Sequence, residues 1–270
     1  TGKTRFEMAT SEQELMTAKL FFKAAFPVMK VPLHDDPKMK KLFESEMGRV
    51  QFSAKNNGEW LGCYLSFDKG EFSAVEGFCE NPEITMQFPS VKKMNTMLTG
   101  GAVLPKIKGF RNFRLLLKFF RLMMSLKLMM PSARPQDEQK KYLKVKMSLY
   151  MITTALSAFN KLGDERMKEW TEKQPDRIYQ FTVEPYDEEN GIAAYLRVKA
   201  GKTKAGRGVY KRRRPFVHFR FNGVDGALKV LLKEYEFVEA VEKGCVSIDG
   251  SPEYSAQLND LMATLQGMMT

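Results

Sequence analysis

Residues 64–77, YLSFDKGEFSAVEG, and residues 195–208, YLRVKAGKTKAGRG, carry one frame twice: Tyr64-(x5)-Gly70-(x6)-Gly77 and Tyr195-(x5)-Gly201-(x6)-Gly208. The frames lie 131 positions apart, and the match resumes at an offset of 133 through Pro82/Pro215, Phe88/Phe221, Val91/Val224 and Leu98/Leu231. A third block, Ile107-Lys108-Gly109 against Ile248-Asp249-Gly250, follows at an offset of 141, so the second copy has gained eight residues ahead of this turn. Expected elements recur in the same order as the matched residues, and the pattern reads as an internal duplication.

Working outward, Ser11 to Met29 has the apolar spacing of a helix, ended by Pro27 and Pro32, and a short helix covers Pro37 to Met47. Strand-like stretches follow at Val50 to Phe52, Gly62 to Phe67, Phe72 to Phe78 and Ile84 to Phe88, separated by turn residues such as Asn56-Asn57-Gly58 and Asp68-Lys69-Gly70. They read as an antiparallel meander. A short helix from Ser90 to Leu98, a Gly100-Gly101 break, an extended Val103 to Lys108 and a long helix from Asn112 to Met130 complete the copy. The second copy repeats this with strands at Ile178 to Val183, Ile192 to Val198, Thr203 to Tyr210 and Phe216 to Phe221, a helical Val224 to Glu242, a strand at Cys245 to Ile248 and a helix from Glu253 to Gln266. Between them Pro131 to Pro135 breaks the chain, and Asp137 and Glu138 sit where a helix N-terminus favours negative charge. The expected organisation is a first domain over 1–130, a linker over 131–136 and a second domain over 137–270, each with two leading helices, an α+β order.

Val246-Ser247-Ile248-Asp249-Gly250-Ser251-Pro252, followed by a Leu-rich terminal helix, resembles the end of a sterol carrier protein type 2 lipid-binding domain. The strand, Gly-containing turn and strand from Tyr195 to Phe221 fit the same family, and Leu104-Pro105-Lys106-Ile107-Lys108-Gly109 takes the place of the final strand in a looser first copy. Together the matches cover most of residues 36–270. The resemblance implies two tandem domains, each a mostly antiparallel five-stranded sheet covered on one face by helices, with an apolar tunnel for a fatty acyl chain, sterol or similar molecule. No invariant catalytic motif identifies this family, and the resemblance rests on pattern.

Composition agrees with a globular chain: 270 residues with 43% apolar content suffice for two cores. The longest apolar stretch, Leu115 to Met130, is interrupted by Lys118, Arg121 and Lys127 and falls short of the roughly 20 residues of a membrane span. A start without a signal-peptide pattern makes the cytoplasm the expected setting. Cys63, Cys79 and Cys245 form no Cys-x-x-Cys pair, which points to reduced thiols rather than disulfides or zinc. His34 and His218 stand in different copies without a nucleophile motif, so no catalytic residue is assigned. His34-Asp35-Asp36 reads as a helix-capping turn rather than a metal site, and Gly2-Lys3-Thr4 lacks the glycine and strand of a phosphate-binding loop. No cofactor is expected.

Eighteen methionines offer flexible, polar-free side chains suited to an apolar ligand. Candidate lining residues are Met86, Phe88, Met94, Met97, Leu98, Val103 and Leu104 in the first copy. In the second they are Phe219, Phe221, Leu228, Leu231, Leu232, Phe237, Leu258, Leu261 and Met262. For any one of them the plainer reading is core packing. The Asn112 to Met130 helix is apolar on most of its circumference, with Arg114, Lys118 and Arg121 on one face; interdomain core, a lid, a docking surface for a protein partner and a membrane-surface helix all remain open. The net charge of +11 concentrates in Lys199, Lys202, Lys204, Arg207, Lys211, Arg212, Arg213 and Arg214 around one expected hairpin. That run reads first as solvated surface, then as a contact with anionic membrane, and last as a nucleic-acid site, since no stacking motif accompanies it. Two functions follow. One is a non-catalytic carrier of a fatty acyl, sterol-like or isoprenoid lipid, with the open cavity expected in the second copy; the alternative is a scaffold whose tunnels are filled by side chains and which docks a protein or an anionic membrane.

Overall fold

The computed structural model describes residues 10–270, so Gly2-Lys3-Thr4 lies outside the described residues. Ser11 and Glu14 form a capping box at the start of α1 (Glu12–Leu20). The helical path does not end at Pro27. A π turn over Phe21–Ala25 leads into α2 (Phe26–Val28), and the chain continues as α3 (Lys30–Asp35). The wider turn takes the residues ahead of Pro27 out of the regular ladder, which the missing proline N–H and the ring would otherwise break. Asp36 then caps α4 (Pro37–Phe43), its carboxylate accepting from the N–H groups of Lys38 and Met39.

The first half continues through β1 (Met47–Asn56), β2 (Glu59–Asp68), β3 (Glu71–Glu76), β4 (Ile84–Phe88), α5 (Val91–Leu98), β5 (Lys106–Lys108) and α6 (Phe113–Leu126), which closes in a 3-10 turn over Lys127–Met129. The second half has α7 (Glu138–Leu162), α8 (Glu165–Glu172), β6 (Arg177–Glu184), β7 (Ala193–Lys199), β8 (Lys202–Arg207), β9 (Val217–Asn222), α9 (Gly223–Leu231), α10 (Phe237–Glu242), β10 (Val246–Gly250) and α11 (Pro252–Met269). The helical region expected from Val224 to Glu242 is thus two helices, and α10 falls within the stretch gained by the second copy.

Each half forms a five-stranded sheet, ordered β3-β2-β1-β4-β5 and β8-β7-β6-β9-β10. The registers agree as well as the orders: Phe52 stands opposite Cys63 and Met86, and its counterpart Phe181 opposite Ala194 and Phe219. The sequence repeat is therefore a repeat of fold. Both hairpins after the repeated tyrosine turn through two residues with positive φ, Lys69 (48°) and Gly70 (90°), then Ala200 (44°) and Gly201 (81°), the geometry of a tight hairpin turn matched to strand twist. Gly109 and Gly250 are also equivalent. A Cβ at either would lie 2.0 Å from the Glu83 carbonyl oxygen or 2.1 Å from that of Phe216, so only glycine lets the last strand pass so close.

One expectation is corrected. The strands do not form an antiparallel meander, because β4 pairs parallel with β1 and β9 parallel with β6. After its third strand the chain must cross the sheet to reach the far side of the first. A buried glutamine on that central strand fastens the crossing in each half. Gln51 Nε2 shares its two hydrogens among the carbonyls of Phe52, Cys63 and Gly77, while its Oε1 accepts from the Cys79 N–H at 3.0 Å. Gln180 Nε2 does the same among the carbonyls of Phe181, Ala194 and Gly208, and its Oε1 accepts from the Tyr210 N–H at 2.9 Å. Periodicity cannot reveal a crossing that depends on one side-chain amide.

On the opposite face of the first sheet, Phe52 packs against Phe26, Phe88 and Phe119, with centroids 4.9, 6.3 and 5.9 Å away, and so joins α2, β4 and α6 in one core. The long α7 is buried over most of its length. It packs on the π turn and α3 of the first half as well as on β7, β8 and α9 of the second, and the Lys146–Asp35 ion pair (2.6 Å) reinforces the junction.

Replacing Gln180 by Leu should strand the Tyr210 N–H and the Gly208 carbonyl. Urea denaturation should show a loss of about 2–4 kcal/mol from the forfeited bonds and the unpaired groups; a loss below about 1 kcal/mol would mean that the crossing is held by other contacts.

Candidate functional site

The larger cavity, about 390 Å³, opens beside the first sheet rather than the second. β4 contributes Met86, the end of α5 Met97 and Leu98, and the following loop Gly100, Val103, Leu104 and Pro105. Ile107 of β5 and Phe120, Met123, Met124 and Leu126 of α6 continue the wall to Lys127, Met129 and Met130. Phe21 and Ala25 line it from the π turn, and Met151 of α7 with Met269 and Thr270 of the C-terminal end close it from the other half. Eight of these residues are methionines and only Lys127 is charged. The surface is therefore soft and nearly without hydrogen-bonding groups, which suits an apolar ligand of adaptable shape.

Of the residues proposed from sequence for the first copy, Met86, Met97, Leu98, Val103 and Leu104 line this cavity, with Leu104 at its rim and 93% exposed. Phe88 and Met94 lie instead in closed core, fully buried. Nothing in the local sequence pattern of Met151 and Met269 says that α7 and α11 reach this cavity.

A second cavity, about 190 Å³, occupies the matching place in the other half. Phe219, Phe221, Leu231, Phe237 and Met262 line it together with Leu149, Ile152 and Phe181. Leu228, Leu258 and Leu261 are core, and Leu232 packs at the core margin. Met86 and Phe219 hold equivalent places beside Phe52 and Phe181, and the Phe219 ring stacks on Phe181 at 4.8 Å.

Lys144 braces the wall of the large cavity. Its ammonium is buried and donates to the carbonyls of Leu128 (2.8 Å) and Met130 (2.7 Å), fixing the turn that presents Met129 and Met130. Burial, aided by the nearby Arg134, pushes its pKa down to about 8.

The basic run is arranged differently from the expected hairpin. Lys202, Lys204 and Arg207 are on β8, whereas Lys211, Arg212, Arg213 and Arg214 are on the crossing segment after it. A cleft of about 320 Å³ gathers Arg197, Lys204, Arg207, Lys211 and Arg212 around Tyr195 and Tyr210. Much of the charge is committed internally. Arg197 makes two bonds to Asp176 (2.7 and 2.6 Å), holding that carboxyl below its usual range, and Arg213 donates to the Asp176 carbonyl. Lys211 pairs with Glu188, and Arg207 stacks over Tyr150 at 4.7 Å. Lys202 and Arg214 are exposed.

His34 belongs to α3 of the first half, while His218 sits in a polar chain on the second sheet. The Thr182 hydroxyl donates to Glu184 and lies 2.9 Å from the His218 Nε2, and burial holds the ring below its usual pKa. Among the described residues no three His, Cys, Asp or Glu side chains gather as a metal site, and no helix is long and apolar enough to cross a membrane.

No protein-family model and no curated protein matches this chain. Among solved structures, palmitated SCP2L2 from Aedes aegypti matches 41% of this chain and 90% of its own, at 16% identity and a TM-score of 0.29. Sterol carrier protein domain 2 of Helicoverpa armigera matches 45% of this chain and 89% of its own, at 22% identity and a TM-score of 0.32. The inverting sec-alkylsulfatase Pisa1 from Pseudomonas sp. matches 66% of this chain but only 31% of its own, at 12% identity and a TM-score of 0.25.

Lys144 generates a pH signature. Its folded pKa lies below the ordinary 10.5, so between about 8 and 10.5 the unfolded chain binds more protons and stability must rise with pH. Relative to Lys144→Met, the parent protein should gain on the order of 2 kcal/mol across that window in denaturant titrations. A flat difference would show that the amine keeps an ordinary pKa.

Proposed function

We propose that this chain binds a hydrophobic ligand of the fatty acyl, sterol-like or isoprenoid class, and transfers or presents it without chemical change. The observation that carries the reading is the large cavity: about 390 Å³, eight methionines and a single charged residue in its wall. That volume falls within the roughly 300–1,000 Å³ typical of small-molecule sites. The second cavity, at about 190 Å³, falls below it. A filled, scaffold-like role is thus the better reading for the second repeat, whose smaller cavity has the stacked Phe181 and Phe219 in its wall. In this reading the repeats run over 1–130 and 137–270, joined by 131–136. The setting is the cytoplasm, in keeping with the free thiols Cys63, Cys79 and Cys245.

Native mass spectrometry of the purified protein, followed by organic extraction, tests the proposal: a stoichiometric acyl or isoprenoid compound is expected. Met86→Phe gives the first repeat the residue found at the matching place in the second. It should weaken uptake of a fluorescent fatty acid by about tenfold, with a stability change within about 1 kcal/mol because the added ring enters existing space. An empty protein that also refuses the fatty acid would discard the carrier reading in favour of the scaffold.

A further inference from the structure

We propose that the solvent-facing side of α6, together with the rim of the large cavity, docks onto an anionic lipid surface. The inference deepens the carrier reading by supplying the route through which an apolar ligand enters. It stands on three observations.

The first is an apolar stripe. Phe113, Leu117, Phe120 and Met124 are 57, 54, 39 and 57% exposed, and at 100° per residue they fall within about 60° of arc along one side of the helix. The side that packs into the core, through Leu115, Leu116, Phe119 and Leu122, is a different one. A helix that buries one apolar face and offers another to solvent has a second surface left to cover.

The second is place. Phe120 and Met124 belong both to the stripe and to the cavity wall, and Leu104, 93% exposed, sits at the rim beside them. A ligand leaving the cavity across this rim meets apolar side chains all the way to the stripe. A surface that received the stripe would therefore receive the mouth of the cavity as well.

The third is charge. From Ile84 to Gln136 the sequence contains ten Lys and Arg and no Asp or Glu. Lys118 is spent on Glu46 and Arg134 on Glu234. Lys106, Lys108, Arg111, Arg114, Arg121 and Lys127 are exposed, and among the described residues none of them forms an ion pair. Arg114 and Arg121 border the stripe along the helix, about 80–100° around from Phe113. An apolar stripe edged by cations matches a bilayer surface with anionic headgroups, into which such a helix sinks its apolar side while its cations stay at headgroup level. A second copy of the chain fits poorly, because a two-fold contact through this face would set the unpaired Arg114 and Arg121 of each copy against those of the other.

The test is co-sedimentation of the full chain with phosphatidylcholine vesicles, with and without phosphatidylserine, at low and high salt. Binding is expected only with phosphatidylserine and should weaken as salt rises. The double variant Phe113→Glu/Leu117→Glu lies outside the cavity wall; it should lose vesicle binding on the order of tenfold or more while taking up detergent-dispersed fluorescent fatty acid as the parent does. Arg114→Glu/Arg121→Glu, which leaves every apolar contact in place, should lose the phosphatidylserine dependence. Failure of the parent to sediment with phosphatidylserine vesicles overturns the proposal, as does undiminished binding by both variants. A parent dimer that Leu117→Glu dissociates overturns it too, by assigning the stripe to self-association. Fatty acid uptake is read separately, so a protein that docks but stays empty would refute the carrier reading alone, and one that loads but does not dock would refute only the docking.

Discussion

The parallel pairing of the fourth strand with the first is the constraint on which each half depends. Antiparallel neighbours can be joined by a tight turn, but a parallel partner obliges the chain to travel across the sheet, exposing backbone groups that no ladder satisfies. Gln51 and Gln180 meet that obligation with a single side chain apiece. Each reaches three carbonyls with its amide nitrogen and one N–H with its oxygen. Once the crossing is fixed, the fourth strand is placed beside the first, the glycine after the fifth can pass close to the loop before the fourth, and the helices have one continuous face to cover.

The features legible in the sequence were those with a local cause. Gly70 and Gly201 announce hairpins because a positive φ is needed there whatever the rest of the chain does. Gly109 and Gly250 repeat because backbone approaches backbone. The crossing was not legible. A lone Gln within a strand looks like any outward polar residue, and only the recurrence of Gln at matching places could have hinted at a shared task. Helix α3 was hidden for a related reason: Pro27 and Pro32 signal a stop, and nothing local reports a π turn that carries the path past them. Cavity volume was also beyond reach, because Met86 and Phe219 score alike as apolar strand residues and differ only in how they fill the space beside a partner ring.

The same pair shows how two copies of one fold differ in their interiors. In the second repeat an aromatic stack joins the central strand to its neighbour, and in the first a thioether at the matching place lines the larger cavity. The division also follows the helices. The first repeat ends in α6, which is only partly covered, whereas the second adds α10 and closes with the longer α11. The hollow unit and the partly uncovered helix are neighbours, and a wall of Met123 and Met124 serves both.

Helix α7 belongs by sequence order to the second half, yet it forms part of the packing of the first and supplies Met151 to its cavity. Lys144, on the same helix, holds the turn that ends the first half's last helix. The first repeat therefore does not own a finished interior. Melting one would strip cover from the other, which couples the two into one cooperative unit despite their separate sheets. Descent from a duplicated gene would then have become irreversible at the level of the fold, since the first copy takes part of its packing and of its cavity wall from the second.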